Sequence, residues 1–373
     1  MMLDPAKKAR VLVVDDSAFM RRVLQSIIKT DPHLEIAGEA CDGREAVSQA
    51  QRLNPDVIAM DINMPGMDGL QATEMIMAQN PRPIVIVSSE ARAGADLSSK
   101  ALELGAIDFV AKPSNAVDLD MSAVRDELCR KLRMAAKVRV VRTASRSRLH
   151  EEIAASRPLI EPQKRSQSAA TSSTDSRFPI IVLAASTGGP ATILKLVPQL
   201  PATLNAAILI VQHMPAGFTE QFAEQLAAAS KLKVKHAHSG EVIHPGVVYV
   251  CPGGVHMRVS ATGRIILDDG PRVNGYKPCA DITLESVAEY AGPLSLAAIL
   301  TGMGNDGSVG ALRLRRLGGF CLAQDDASSV IFGMNAEAIR AGAVEQVLPL
   351  DQIPAALEKR VLYVHGAQRV GAL

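Results

Sequence analysis

The amino-acid sequence predicts an α/β protein built from two doubly wound parallel sheets that are joined by a linker. Short apolar runs alternate with helical patterns in the first third of the chain and again in its second half, which is typical of parallel sheets. The stretch between them is dense in Ser, Thr and Arg. A chain of 373 residues has the length of two or three domains. We therefore predict domains at 1–134 and 179–373, with a basic linker at 135–178.

The first domain begins with apolar runs that we interpret as five strands. They are Val11–Val14, Leu34–Glu39, Val57–Met60, Ile84–Val87 and Ile107–Val110. A helical pattern follows each of them: Ala18–Lys29, Arg44–Leu53, a helix from Leu70, Ala95–Leu104 and Val117–Arg133. Five such units predict a doubly wound sheet, whose ligands bind at the carboxyl ends of the strands.

The second domain repeats this alternation, and its apolar runs end in polar or glycine-rich turns. The predicted strands are Ile180–Ala184, Ala207–Val211, Val247–Val250 and Leu296–Leu300. Ser-Thr-Gly-Gly-Pro (186–190) follows the first run, Gln-His-Met-Pro (212–215) the second, and Thr-Gly-Met-Gly-Asn-Asp-Gly (301–307) the last. These turns are therefore expected to meet at one edge of the sheet.

The composition limits the class of protein and its compartment. A hydrophobic share of 47% excludes a disordered chain, and an aromatic share of 3% argues against the stacking platform of single-strand nucleic-acid binders. The five Cys are scattered without CxxC spacing, which favours a reducing compartment over zinc or redox chemistry. The longest apolar runs are too short for a membrane span or a signal peptide. We expect a cytoplasmic protein without membrane insertion.

Charge divides the chain into three segments. The net charge is −5 over residues 1–125, +6 over 126–178 and 0 over 179–373. We interpret the basic segment as a solvated linker, and a nucleic-acid-binding arm is the alternative. No nucleic-acid partner is expected, because charge runs are usually solvated.

Acidic side chains mark a pocket at the carboxyl edge of the first sheet. Asp15 and Asp16 follow the first strand and Asp61 the third, while Ser88 ends the fourth and Lys112 follows the fifth. Three carboxylates repel one another unless a cation joins them, and their hard oxygens suit Mg²⁺. A neutralised Asp can attack a phosphoryl group, whose oxygens Ser88 and Lys112 would hold. The alternative is that each Asp merely caps a helix or turn.

This pattern resembles the receiver domain of two-component response regulators over about residues 1–125. The matching residues are the acid pair Asp15-Asp16, Asp61 in Asp-Ile-Asn-Met-Pro-Gly-Met-Asp-Gly, Ser88, and Lys112-Pro113. The resemblance implies a flavodoxin-like fold, Asp61 as phosphoacceptor and a sensor histidine kinase as phosphodonor. It implies Mg²⁺ held by Asp15, Asp16, Asp61 and the backbone carbonyl of Asn63. It also implies a cis Lys112–Pro113 bond and Phe109 as an aromatic switch.

Ser186, His213 and Asp306 each follow a different apolar strand of the second domain. Ser186 lies on a strand-to-helix turn, where backbone N–H groups and the helix dipole favour developing negative charge. Taken singly, His213 is more simply a structural histidine and Asp306 a helix N-cap. Together they predict a Ser-His-Asp triad. Its chain order differs from the Ser-Asp-His order of α/β-hydrolases.

The stretch Gly302-Met303-Gly304-Asn305-Asp306-Gly307 also matches the dinucleotide-binding pattern G-x-G-x-x-G. We reject that interpretation because Asp306 would bring a carboxylate beside the pyrophosphate, where the sign of the charge is wrong. The motif also comes late in the domain instead of in its opening unit.

Four stretches of residues 179–365 resemble the catalytic domain of the chemotaxis-specific protein-glutamate methylesterases, the CheB family. They are Ala-Ser-Thr-Gly-Gly-Pro (185–190), Gln-His-Met-Pro (212–215), Thr-Gly-Met-Gly-Asn-Asp-Gly (301–307) and Ala-Gln-Asp-Asp-Ala-Ser-Ser-Val-Ile-Phe-Gly-Met (323–334). The resemblance implies a Rossmann-like domain without a cofactor. Ser186 would be the nucleophile, His213 the general base and Asp306 the orienting acid.

The same resemblance implies further residues and a substrate. Met303 and Thr187 would stabilise the oxyanion, and Tyr249 and the stretch near Asp281 would border the cleft. The substrate would be a glutamate γ-methyl ester on the cytoplasmic helices of a methylated chemoreceptor, with glutamine deamidation as a possible second activity. Two residues depart from the family pattern: Ala184 replaces a Gly, and Asn335 replaces a Pro.

The order of the two domains suggests control by phosphorylation. We expect the unphosphorylated receiver to pack against the catalytic cleft, and phosphorylation of Asp61 to weaken that contact by shifting Ser88 and Phe109. The alternatives are a phospho-switched binding protein with an inactive catalytic domain, a DNA-binding response regulator and a dinucleotide enzyme. The zero net charge and βα alternation of the last segment argue against DNA binding.

Overall fold

The computed structural model describes residues 8–88, 97, 100–102, 104–112, 121–138 and 178–369. The predicted cis Lys112–Pro113 bond and most of the predicted linker lie outside these residues, as does much of the predicted helix Ala95–Leu104. The domain limits at 134 and 179 therefore stay predictions.

The first domain is a five-stranded, all-parallel sheet with strand order β2-β1-β3-β4-β5. Its strands are β1 (Ala9–Val14), β2 (Leu34–Ala40), β3 (Val57–Met60), β4 (Ile84–Ser88) and β5 (Asp108–Ala111). Its helices are α1 (Ala18–Lys29), α2 (Gly43–Leu53), α3 (Gly69–Gln79) and α4 (Met121–Ala135). The doubly wound fold predicted for this domain is confirmed.

Polar side chains begin three of these helices. Ser17 accepts a hydrogen bond from the Met20 N–H and Asp42 accepts one from the Glu45 N–H. Asp68 and Gln71 form a capping box at the start of α3. These bonds satisfy N–H groups that a helix leaves unpaired in its first turn. They fix the turns in which β1 and β3 deliver their carboxylates.

The second domain is a seven-stranded, all-parallel sheet with strand order β14-β13-β12-β6-β7-β9-β8. Its strands are β6 (Ile180–Ala185), β7 (Ala207–Gln212), β8 (Lys233–His236), β9 (Val247–Val250), β12 (Ser295–Ile299), β13 (Phe320–Gln324) and β14 (Gln346–Leu348). Its helices are α5 (Gly189–Leu196), α6 (Ala216–Ala229), α7 (Ala280–Ala291), α8 (Ser308–Arg316), α9 (Met334–Arg340) and α10 (Ile353–Arg369). An antiparallel hairpin of β10 (His256–Val259) and β11 (Ile265–Asp268) stands apart from the sheet.

The order in which successive strands are added to this sheet reverses at β6. From β6 the sheet grows through β7 on one side and through β12 on the other. Ligands of doubly wound sheets bind at such a switch point, outside the carboxyl ends of the strands. Ser186, His213 and the loop to Asp306 follow β6, β7 and β12, so all three converge there.

Strands β6, β7 and β12 are fully buried, because helices cover both faces of the sheet. This explains why their sequences are continuous apolar runs and not alternating ones. No helix among the described residues is long and apolar enough to cross a lipid bilayer.

Candidate active site and phosphoacceptor pocket

Ser186 lies on the sharp turn between β6 and α5. Its backbone N–H donates to the Thr301 carbonyl, which ties the turn to the end of β12. Gly188 follows in the left-handed conformation (φ +77°), which a side chain would strain. A side chain at Gly189 would collide with the Gln212 side chain, so the helix begins close to β7. Ser186 is thereby held at the N-terminus of α5 and is 1% exposed.

His213 is the first residue after β7. Its N–H donates to the Ala185 carbonyl at 3.1 Å, so its backbone extends the pairing between β6 and β7. Its Nε2 atom lies 2.7 Å from Asp306 Oδ2. The neighbouring Gln212 amide donates to the carbonyls of Ser186 and His213 and so links the two turns. The predicted histidine and aspartate are therefore in direct contact.

Asp306 is 1% exposed and reaches the N-terminus of α7. Its carboxylate accepts hydrogen bonds from the Ala280 N–H at 2.7 Å and the Asp281 N–H at 3.0 Å. The Cys279 thiol donates to it as well, at a distance of 3.1 Å. Asp306 therefore caps a helix, but not the helix that follows it in sequence.

The pKa values of the neighbouring carboxylates Asp306 and Asp281 are shifted in opposite directions. Burial alone would raise the pKa of Asp306, but the bond and charge of His213 and the two backbone N–H groups lower it to about 2. Burial raises the pKa of Asp281 to about 6, because the N–H of Gly310 and that of Gly307 only partly offset it and the Asp306 charge adds to it. Asp306 is therefore the carboxylate that stays ionised beside the imidazole.

The remaining contact of a triad, between the hydroxyl and the imidazole, is open in this structure. Ser186 Oγ and His213 Nδ1 are both buried and have no hydrogen-bond partner among the described residues. A buried polar atom without a partner costs free energy, so such pairs are rare outside functional sites. With Nε2 bound to Asp306, Nδ1 is the atom of His213 left to take a proton.

The residues predicted for the oxyanion site lie beside Ser186. Thr187 is buried, and its carbonyl accepts the Thr301 hydroxyl at 3.0 Å. Met303 follows Gly302, where an added side chain would press on Ser186. The turns after β6 and β12 therefore touch, and they bring Thr187 and Met303 to the same side of the sheet edge.

The residue Asn335, which departs from the family pattern, has a defined place. Its side-chain amide donates to the Gln324 carbonyl at 2.9 Å and to the Ser329 hydroxyl at 2.8 Å. The Gln324 side chain in turn accepts the Thr301 N–H. The Asn335 side chain thus holds the loop after β13 with two hydrogen bonds. A proline has no side-chain donor and could not form them. Ala184 is fully buried inside β6, and nothing in the structure explains its replacement of glycine.

Tyr249 does not border the cleft, contrary to the expectation from the sequence. It is 1% exposed in the middle of the domain core. Its hydroxyl accepts the His244 N–H and donates to the Val242 carbonyl. The Tyr249 hydroxyl is thus hydrogen-bonded to the backbone of residues 242 and 244 and is not available to a ligand. Asp281, by contrast, adjoins Asp306 as expected.

Tyr276 and Cys279 belong to the site but do not stand out in the sequence. The Tyr276 ring stacks on the His213 imidazole with centroids 4.4 Å apart and an interplanar angle of 17°. Both residues precede α7 and follow no apolar strand, so the strand-end argument misses them. Their only signal was their closeness to Asp281.

In the first domain the predicted pocket is assembled. Lys112 Nζ lies 2.7 Å from Asp15 Oδ2 and 2.9 Å from Asp61 Oδ2. Asp15 and Asp61 are buried, Asp16 is exposed, and ligand atoms of all three lie within 4.8 Å of one another. Asn63 is exposed on the following loop, and Ser88 is fully buried at the end of β4.

The electrostatics of this pocket suit an added cation. Burial raises the pKa of Asp61, although the hydrogen bond and charge of Lys112 act against it. The positive charge of Lys112 is shared between the two buried carboxylates, Asp15 and Asp61. Lys112 forms no ion pair with Asp16 in the part of the chain that the structure describes. A cluster of carboxylate oxygens of this kind fits Mg²⁺, which takes hard oxygen ligands and keeps several waters.

The two domains meet over the catalytic edge. The Phe109 ring of β5 packs on Phe218 of α6, with centroids 4.5 Å apart. Arg130 of α4 places Nη1 3.7 Å from Met303 Sδ. Val330, from the loop after β13, packs against the core of the first domain. The residue predicted as switch and the residue predicted at the oxyanion site therefore both touch the opposite domain.

Comparison with known proteins agrees with this division of the chain. Residues 181–357 match the CheB methylesterase family, and residues 11–124 match the response regulator receiver domain family. A protein-glutamate methylesterase/protein-glutamine glutaminase of Pyrococcus horikoshii is 42% identical over 368 residues, 98% of this chain and 97% of that protein. Its namesake in Symbiobacterium thermophilum is 42% identical over 355 residues, 94% of this chain and 97% of its own.

A solved structure is also similar to part of the chain. The crystal structure of the Thermotoga maritima CheB methylesterase catalytic domain is 40% identical and covers 49% of this chain and 98% of its own, with a TM-score of 0.48.

Replacing Asp306 with Asn should flatten the acid dependence of stability. The lowered pKa of Asp306 means that its ionised form stabilises the fold fully above about pH 4, and that this contribution is lost as the pH falls towards 2. Between these limits the free energy of unfolding of the parent should fall by about 2 kcal/mol more than that of the variant. Urea unfolding at a series of pH values measures it. Asp351→Asn, at an exposed site, is the control, and equal slopes for parent and Asp306→Asn would contradict the assignment.

Proposed function

The chain belongs to the CheB methylesterase family, and we propose that it hydrolyses glutamate γ-methyl esters on the cytoplasmic helices of methylated chemoreceptors. Relatives that span nearly the whole chain are named protein-glutamate methylesterase/protein-glutamine glutaminase. One observation carries the assignment of residues: His213 is paired with the ionised Asp306 while its free Nδ1 and the Ser186 hydroxyl are buried without partners at the same sheet edge.

In the proposed reaction Ser186 Oγ attacks the ester carbonyl while His213 Nδ1 takes the hydroxyl proton. Asp306 holds the Nε2–H tautomer of the imidazole and stabilises the imidazolium that forms. The carbonyl oxygen becomes an oxyanion, which the backbone N–H groups of Thr187 and Met303 and the N-terminus of α5 would stabilise. A general base in this role contributes roughly 10²–10⁴-fold to the rate.

The second half of the reaction uses the same groups in reverse. The imidazolium of His213 gives its proton to the departing methoxide, and methanol leaves an acyl group on Ser186. Water then attacks this acyl group as His213 takes its proton, and the Ser186 hydroxyl is restored with glutamate as the product. A glutamine side chain would follow the same path with ammonia as the leaving group, in line with the second half of the relatives' name.

The acidic pocket of the first domain is the proposed input. An Asp61 carboxylate oxygen would attack the phosphorus of a phosphohistidine on a sensor kinase, and the P–N bond would break. Lys112 and Ser88 would hold the transferred oxygens. Asp15, Asp16, Asp61 and the Asn63 carbonyl would hold Mg²⁺, which supplies positive charge beside the phosphoryl group when bound. The exposed edge of the pocket, with Asp16 and Asn63, leaves room for the donor.

We propose that the docked first domain obstructs the catalytic edge until Asp61 is phosphorylated. Three contacts support this: Phe109 on Phe218, Arg130 on Met303, and Val330 against the receiver core. Contacts of this kind between domains resemble a transient interface, which a bias of a few kcal/mol opens. Phe109 is on β5, which pairs directly with β4, the strand that ends at Ser88. A shift of Ser88 at the phosphoacceptor pocket can therefore move Phe109 at the interface between the domains.

Replacing Ser186 with Ala should lower the rate of methanol release from methylated receptor membranes by roughly 10⁴-fold or more, because the acyl intermediate no longer forms. Phosphorylation of Asp61 should be unaffected, which shows that the first domain is folded, and thermal unfolding of the variant checks the second domain. Ser239→Ala, at an exposed serine of the same domain, is the matched control. Methanol release by the Ser186→Ala chain at the parental rate would remove Ser186 as nucleophile.

A small phosphodonor with Mg²⁺ should raise the rate of methanol release by the full chain, because phosphorylation of Asp61 undocks the first domain. The Asp61→Asn chain should keep its basal rate and lose the response. Asp126→Asn, an exposed acid on α4, serves as control and should respond like the parent. A response that survives Asp61→Asn would place the phosphoacceptor elsewhere.

A further inference from the structure

An aromatic side chain lies flat against the proposed general base. Tyr276 and His213 are stacked with ring centroids 4.4 Å apart and an interplanar angle of 17°. The face of a phenol ring carries negative charge density and attracts a cation placed over it. The imidazole is neutral before the reaction and positively charged after it takes the serine proton. Stacking therefore favours the charged form that arises during catalysis.

The position of Tyr276 is fixed by its surroundings. It exchanges two backbone hydrogen bonds with Val273, at 2.9 and 3.1 Å, which close a tight hairpin just before α7. Its hydroxyl lies so close to Gly304 that any side chain there would collide with it. Burial raises the pKa of Tyr276, so the phenol stays neutral. The ring is thus built into the site between the hairpin and the loop that carries Met303 and Asp306.

The same ring meets a charge from the other domain. The Arg130 guanidinium of α4 lies 6.0 Å from the Tyr276 ring centroid, and its Nη1 lies 3.7 Å from Met303 Sδ. Arg130 thus brings a cation of the first domain next to the triad. Among the described residues, Asp306, which binds His213, and the protonated Cys279 thiol also lie near this stack, with Asp281 beside them. On the side of the first domain, Glu127 of α4 interacts electrostatically with Arg130.

We propose that Tyr276 is a positioning residue that stabilises His213 as an imidazolium during ester hydrolysis, and that Arg130 competes for this ring while the domains are docked. The inference rests on the proposed function. A cation already held by the ring weakens its attraction for a second, and two like charges beside the same ring repel each other. The docked first domain then restrains the catalytic base by charge as well as by covering it.

The first test separates ring stacking from simple packing. In the phosphorylated full chain, Tyr276→Leu should lower kcat for methanol release about 5- to 30-fold and leave KM within about twofold, while Tyr276→Phe should keep most of the parental kcat. Tyr290→Leu, at a half-buried tyrosine near the far end of α7, controls for the loss of volume. Equal losses in Tyr276→Phe and Tyr276→Leu, or a loss in KM alone, would overturn the role of the ring.

The second test addresses Arg130. In the unphosphorylated full chain, Arg130→Met should raise the basal kcat several-fold, and this gain should shrink when Tyr276→Leu is also present. Arg125→Met, an exposed arginine on the same helix, should leave the basal rate unchanged. A gain from Arg130→Met that is the same size with and without Tyr276 would show that Arg130 acts only by covering the cleft, and would overturn the competition.

These results separate the inference from the proposed function beneath it. If Ser186→Ala abolishes methanol release and Tyr276→Leu does not lower kcat, then only the role of Tyr276 is wrong. If the Ser186→Ala chain hydrolyses the ester as well as the parent does, the proposed function itself fails. Thermal unfolding of each variant identifies any loss of rate that comes from loss of the fold.

Discussion

The second domain depends on the interactions that the buried carboxylate of Asp306 makes. An ionised carboxylate that is 1% exposed needs compensation, and Asp306 receives it from two backbone N–H groups, a thiol and an imidazole. The N–H groups belong to the first turn of α7, so the end of β12 is tied to the start of that helix. Asp281, inside α7, accepts the Gly310 N–H of α8 in return. Asp306, just before α8, thus caps α7, and Asp281, inside α7, accepts an N–H from the first turn of α8.

The two domains place their chemistry at the same kind of position. In both, short buried parallel strands deliver polar side chains to the carboxyl edge of the sheet. The first domain collects carboxylates and one ammonium there, whereas the second collects a hydroxyl, an imidazole and a carboxylate. The α4 and β5 side of the first sheet lies against the catalytic edge of the second. A change at one strand end therefore reaches the other through few intervening side chains.

The sequence predicted the strands that carry the site because each of them is a continuous run of apolar residues. β3 and β9 have the predicted limits, and Ser186, His213 and Asp15 lie directly after their strands. It missed β8, β10, β11 and β14, which are partly exposed, and also β13, which is fully buried. It misplaced Tyr249, because a family likeness does not say which way a strand residue points. Tyr276 and Cys279 escaped for another reason. They approach the triad from a hairpin, and only the folded path of residues 256–279 brings them there.

The thiol beside the triad has a chemical consequence. Burial and the neighbouring Asp306 raise the pKa of Cys279 far above its ordinary value, so sulfur stays protonated and serves only as a donor. Its side chain is fully shielded from solvent, whereas Cys41, on the first domain, is the exposed cysteine of the five. Alkylating reagents and mild oxidants are therefore expected to react at Cys41, on the first domain, and not at Cys279. With Ser186 as the proposed nucleophile, the protein should therefore resist thiol reagents although a cysteine touches Asp306.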